Sequence, residues 1–180
     1  MNRVRQLTRE AIEEIEKYNS CQSAYYILKT LEEGSESLCK EKELKYDYTI
    51  DNLITVSLYI YDEVTKARLF VTSFLIYDVL AKNYVLQNPL FYFRWNKRYF
   101  VYSPRIDSHL SYLSREGFVK ARKKFSLTEH GKKEGESLIS TLNKETLSKI
   151  EKYVSALKSM DTMKETKIFL KKHLMGYRDR

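Results

Sequence analysis

Glycine is scarce in this sequence. The five present, Gly34, Gly117, Gly131, Gly135 and Gly176, are scattered, so no glycine-rich loop can cradle a nucleotide phosphate. Cysteine is scarcer still. Cys21 and Cys39 do not form a Cys-x-x-Cys pair, which favours idle thiols in a reducing compartment over a disulfide. No apolar run reaches the roughly 18 residues that a membrane span needs. The opening MNRVRQLTREAIEEIEK lacks the apolar core of a signal peptide, so a cytoplasmic protein is expected. His109, His130 and His173 are isolated from one another and from cysteine, away from metal-ligand spacing. His109 borders an apolar stripe and reads as a packing residue. There is no Gly-x-Ser-x-Gly elbow. Paired acids such as Glu13-Glu14 and Glu32-Glu33 sit among lysines and arginines on charged helical faces. These absences point away from an enzyme, a cofactor and a metal.

What is there is positive charge in one place. Residues 1–81 carry a net −4, residues 82–133 a net +9 and residues 134–180 a net +3, so the middle third supplies the whole excess of +8. Focused charge of this kind suits a polyanion such as a nucleic acid, against the plainer reading of a solvated lysine-rich face. With 180 residues, no internal repeat and no Pro/Gly/Ser linker, the chain can build one well-buried core plus a small appendage.

The periodicity predicts a mainly α protein. Val4, Leu7, Ala11, Ile12 and Ile15 recur at helical spacing, and a second helix, QSAYYILKTLEE, stops near Gly34. The charged stretch GSESLCKEKELKYDY then connects an N-terminal appendage (1–48) to the main domain (49–140). In LITVSLYIY, alternation of Ile54, Val56, Leu58 and Ile60 with polar residues would suit a strand. Thr49 as N-cap and Asp51 in the first turn favour a helix, which is the reading adopted. TKARLFVTSFLIYDVLAKN, capped by Thr65, is apolar on most sides and predicts a central helix.

FYFRWNKRYFVYSPR follows. Its aromatics are either the core of a short sheet or a surface on which bases stack. The core reading is adopted, with RWNKR as an exposed turn and Arg94, Lys97 and Arg98 as its functional part. Ser103 and Pro104 then open a helix at N-cap and first position. Ile106, Leu110 and Leu113 define its buried stripe. Arg105, Ser108, Ser111, Tyr112 and Arg115 are left as groups able to reach bases or phosphates, or simply to face solvent. Gly117 ends the helix. Phe118-Val119 and Phe125-Ser126-Leu127 flank KARKK, predicting a hairpin whose tip holds Lys120, Arg122, Lys123 and Lys124, a good phosphate clamp. Thr128 caps the next helix, and Gly131 in its first turn permits close packing.

Helix, glycine turn, strand, basic tip, strand and LTEHGKK resemble the winged-helix superfamily. The chain is most similar to the group of SocA-like (Panacea) and YwgA-like proteins, through TKARLFVTSFLIYDVL, FYFRW, YSPRIDSHLSYLSREGFV and FSLTEHGKK, over about residues 50–140. It departs from that group in having Phe100-Val101 where Gly-Pro usually precedes YS, and Val71-Thr72-Ser73 where a lysine is common. The resemblance implies a winged helix-turn-helix with flanking N- and C-terminal helices. It also implies either a DNA-binding transcriptional regulator or a protein-interaction module of the antitoxin or adaptor type. The first would read double-stranded DNA with helix 104–115. The second would turn the basic face to an acidic protein.

Residues 141–180 carry two further helices. Leu147, Ile150, Val154 and Leu157 share one face of the first; the second, capped by Asp161, carries Met163, Ile168, Phe169, Leu170 and Leu174. They can fold back on the domain or pair two copies of the chain, and a homodimer is the expectation.

Overall fold

In a computed structural model of the protein, the described residues are 46–95, 97 and 100–175, together with Thr8, Ala11, Ile12, Ile15, Glu16, Tyr25, Leu28 and Lys29. Contacts divide the chain into two units, 1–45 and 46–180. In the first, all eight described positions are helical. Cys21, Cys39, Gly34, Gly176, Arg98 and Tyr99 lie outside the described residues.

The second unit is mainly helical, with two small antiparallel sheets. Helix α1, Ile50–Tyr61, begins at a capping box. The Thr49 hydroxyl accepts from the Asn52 amide, and the Thr49 amide donates to Asn52 Oδ1 at 2.9 Å. The strand-like alternation is misleading because this helix is enclosed. Ile54, Thr55, Val56, Ser57 and Leu58 are all buried, and the Ser57 hydroxyl is bonded on both sides. Ser57 Oγ donates to the Leu53 carbonyl at 2.7 Å and accepts from Ser73 Oγ at 3.1 Å.

Helix α2, Lys66–Leu80, lies against α1 and buries Leu69, Phe70, Val71, Leu75, Ile76, Val79 and Leu80. Thr65 holds the N-cap position, but its side chain makes no cap hydrogen bond. The cap is unnecessary, because burial of apolar area holds the helix in place. Between α1 and α2, Val64 pairs antiparallel with Phe125. The two residues exchange N–H···O bonds of 3.0 and 2.8 Å.

Strands β1 (Tyr92–Phe93) and β2 (Val101–Tyr102) form one hairpin, and β3 (Val119–Ala121) and β4 (Phe125–Leu127) another. Helix α3, Pro104–Arg115, joins them. Its Ser103 cap accepts from the Ile106 amide at 3.0 Å and donates to the Pro89 carbonyl, and Gly117, at φ +76°, ends it. Helix α4, Glu129–Ser140, is capped by Thr128 and lies on α1. Tyr48 anchors its far end through a 2.7 Å bond to Thr141 Oγ1. Burial pushes that phenol above its ordinary pKa, which keeps it a neutral partner.

Helices α5 (Lys144–Lys158) and α6 (Met163–Met175) belong to the same unit as the rest. Ile150, Val154 and Leu157 are buried, with α5 packed on α2. Of the two tail-helix faces from which a dimer was expected, that of α5 is therefore covered by the chain itself. The Arg68 guanidinium donates to Tyr61 Oη at 3.1 Å and to the Leu157 and Met160 carbonyls, tying α2 to the C-terminal end of α5. Ahead of α6 the reciprocal pair is Thr162 and Glu165, each side chain accepting from the other's amide at 3.2 Å. Thr162, not Asp161, thus does the capping: Thr-x-x-Glu satisfies two amides, whereas a lone aspartate satisfies one. Among the described residues, no helix is long and apolar enough to cross a membrane.

Two glycines let α4 approach. A Cβ on Gly131 would lie 2.4 Å from the Phe118 carbonyl oxygen, and one on Gly135 would lie 2.6–2.9 Å from Tyr59. Gly131→Ala and Gly135→Ala should each destabilise the domain by about 1–3 kcal/mol through overpacking. Urea denaturation measures this. A stability gain from either substitution would mean that α4 stands off further than described.

Candidate functional site

Helix α3 buries Ile106, Leu110 and Leu113 and presents the opposite side to solvent. Ser108, Ser111, Tyr112 and Arg115 are exposed on that outer face, as their spacing predicts. Ser111 commits its hydroxyl proton to the Asp107 carbonyl at 3.0 Å and keeps only acceptor capacity outward. Arg105 behaves differently from the sequence expectation. It is half-buried and donates through Nη1 to the Asn88 carbonyl at 2.5 Å, so it braces the preceding loop.

Long-range pairs fix the flanks of α3. Lys66 meets Asp107 at 2.5 Å, and the Tyr102 hydroxyl donates to the same carboxylate at 3.4 Å. On the other flank His109 Nδ1 lies 2.8 Å from Asp51 Oδ1. His109 is thus more than packing: it joins α3 to the first turn of α1. Asp51, Lys66 and Asn88 were not among the expected site residues. Their partners lie far along the chain, and nothing local marks them.

The β3–β4 hairpin follows directly. Lys120, Arg122, Lys123 and Lys124 are all exposed. The Arg122 amide donates to the Lys124 carbonyl at 3.1 Å and closes the tip. The four cations are not equivalent. Lys124 is paired with Glu63 at 2.8 Å, whereas no described residue pairs with Arg122 or Lys123.

The β1–β2 hairpin corrects the core reading of its aromatics. Phe100 and Val101 are buried, but Tyr92 is 48% exposed and Phe93 and Trp95 are each 37% exposed. The reason is that a two-stranded ribbon has only one face against the body. The rings associate among themselves instead. Trp95 lies near-parallel to Phe93 and to Phe100 at 6.2 Å, and Phe93 meets Phe74 edge-on at 5.1 Å. Lys167 of α6 braces the turn, donating to the Trp95 carbonyl at 3.2 Å and sitting 5.3 Å from the Phe100 ring centre. Arg94 lies over the Tyr102 ring at 5.9 Å, and Lys97 is exposed at the turn.

The structure therefore gathers Ser108, Tyr112 and Arg115 on one helix face and Lys120, Arg122 and Lys123 on the adjoining hairpin, and it engages Arg105 and Lys124 with the chain itself. Among the described residues, no cluster of three or more His, Cys, Asp or Glu is placed to hold a metal ion. No family model, curated protein or solved structure matches the chain.

The aromatic hairpin yields a stability contrast. Phe100→Ala should cost about 3–5 kcal/mol as a buried ring, and Phe93→Ala well under that. Chemical denaturation of the two variants reads the difference. Equal losses would mean that the hairpin tip is held as tightly as the core.

Proposed function

We propose that this chain is a winged-helix protein that binds duplex DNA and regulates transcription. In this reading α3 enters the major groove and the β3–β4 hairpin is the wing. The supporting observation is the order and pairing of the elements. Helix α1, the extended residue Val64, α2, the short β1–β2 hairpin, α3 and the β3–β4 hairpin follow one another, and Val64 forms a single-residue bridge to Phe125 on the outer side of β4. With the β1–β2 hairpin read as an insertion, this order supports a winged helix, with a basic tip beside the helix that faces outward. Ser108, Tyr112 and Arg115 would reach base edges or phosphates, and Arg122 and Lys123 would hold the neighbouring backbone.

A second reading rests on a different observation. The exposed Tyr92, Phe93 and Trp95 beside Arg94 suit the centre of a protein interface, where aromatics and arginine are enriched. In that case the chain is an adaptor for an acidic protein, and affinity depends on these rings more than on salt.

Fluorescence anisotropy with duplex DNA over a range of salt separates the two. Replacing Arg122 and Lys123 together by Ala should lower the log–log salt slope by about 2, at about 0.9 per phosphate contact. Lys124→Ala should change it less, because Glu63 already shares that charge. A slope unmoved by the double substitution would remove the wing from the interface.

One helix in one groove reads few bases, and regulators of this kind commonly bind as two-fold dimers. With the α5 face occupied, the second copy is placed on α6, where Ile168 is 49% exposed. Phe169 is unsuitable as a probe because it packs edge-on against Tyr153 at 6.3 Å. Light scattering should give about twice 21.5 kDa for the intact chain and 21.5 kDa for Ile168→Glu. A mass of 21.5 kDa for the intact chain at high micromolar concentration would remove the dimer.

A further inference from the structure

Beside the β3–β4 tip lies a cleft of about 430 Å³, within the size range of small-molecule sites. Its lining includes three basic residues, Lys66 at the start of α2 with Arg122 and Lys123, and three apolar ones, Ala67, Phe125 and Met163. No carboxylate belongs to this lining. The walls come from three places in the chain, namely α2, the hairpin and the first residue of α6. The Val64–Phe125 pair holds the hairpin wall against the start of α2 through two backbone hydrogen bonds, so this part of the cleft does not depend on side-chain packing alone.

We propose that this cleft binds a small organic anion, a carboxylate carried on a compact apolar body. Arg122 and Lys123 have no ion-pair partner among the described residues, and Lys66 shares its charge with Asp107, so the site is net positive, which selects the charge. The apolar lining of Ala67, Phe125 and Met163 selects a hydrocarbon part over a bare inorganic anion. Lys124, next in sequence, is turned to Glu63 and takes no part.

The same cleft connects to α3. Lys66 is held by Asp107, and Asp107 also accepts from Tyr102. A carboxylate entering the cleft competes with Asp107 for Lys66, and so weakens one of the two pairs that fix the flanks of α3. Ligand and Asp107 are therefore antagonists for a single ammonium group. The coupling is reciprocal: the ligand weakens the Lys66–Asp107 pair by the same factor by which that pair weakens the ligand.

The test uses the full chain without DNA, so its outcome is independent of the DNA-binding reading. Three probes are titrated while backbone amide shifts are followed by nuclear magnetic resonance: 2-naphthoate, the neutral 2-naphthamide, and acetate. Saturable shifts confined to 65–67, 122–125 and 163 are expected with 2-naphthoate alone. Arg122→Ala with Lys123→Ala should weaken binding about tenfold or more, from loss of charge-assisted hydrogen bonds. Asp107→Asn, which releases Lys66, should tighten it. An equal response to 2-naphthamide, no saturable shift at the cleft, or binding unchanged by Asp107→Asn would each overturn the proposal.

Discussion

Helix α1 is buried without a break from Leu53 to Leu58, and the arrangement of the domain follows from enclosing that stretch. Helices α2, α3, α4 and α5 and strand β4 all touch α1. A buried polar group on such a helix needs a partner, and Ser57 has two, the Leu53 carbonyl of its own helix and Ser73 of α2. The helix must also admit neighbours at close range. Glycines at 131 and 135 supply that room on one side, and the Arg68 fork beside Tyr61 secures the other.

With its core fixed in this way, α3 is held rather than merely packed. The apolar stripe of Ile106, Leu110 and Leu113 sets which face is outward. The Lys66–Asp107 and His109–Asp51 pairs set the rotation about that stripe. Such half-exposed pairs contribute little to stability. Their value here is positional, since they hold the exposed Tyr112 and Arg115 in one orientation.

Much of this was legible because the deciding physics is local. Thr49, Ser103 and Thr128 mark helix starts three residues before the amides they satisfy, Gly117 marks a helix end by its positive φ, and the basic tip is contiguous in sequence. The unread parts depend on residues far apart. Nothing near Arg105 announces the Asn88 carbonyl, and nothing near Lys124 announces Glu63, 61 positions away. The aromatic hairpin failed for a related reason. Composition shows that rings are present but not how many sides of a two-stranded ribbon the body can cover. The tail helices look unpartnered in sequence only because their partner, α2, is already apolar on most sides.

The bond between Val64 and Phe125 bears on how the chain folds. A hairpin of two three-residue strands forms quickly but is marginal alone. Its further backbone partner among the described residues is Val64, contributed from before α2, and two hydrogen bonds cannot offset the entropy of closing so long an intervening loop. The closure has to be supplied by α1, α2 and α3 collapsing together. The hairpin tip, with its cations, is therefore ordered against α2 only in molecules whose helical core has already assembled, and a partly folded chain does not display the same charged surface as the native one.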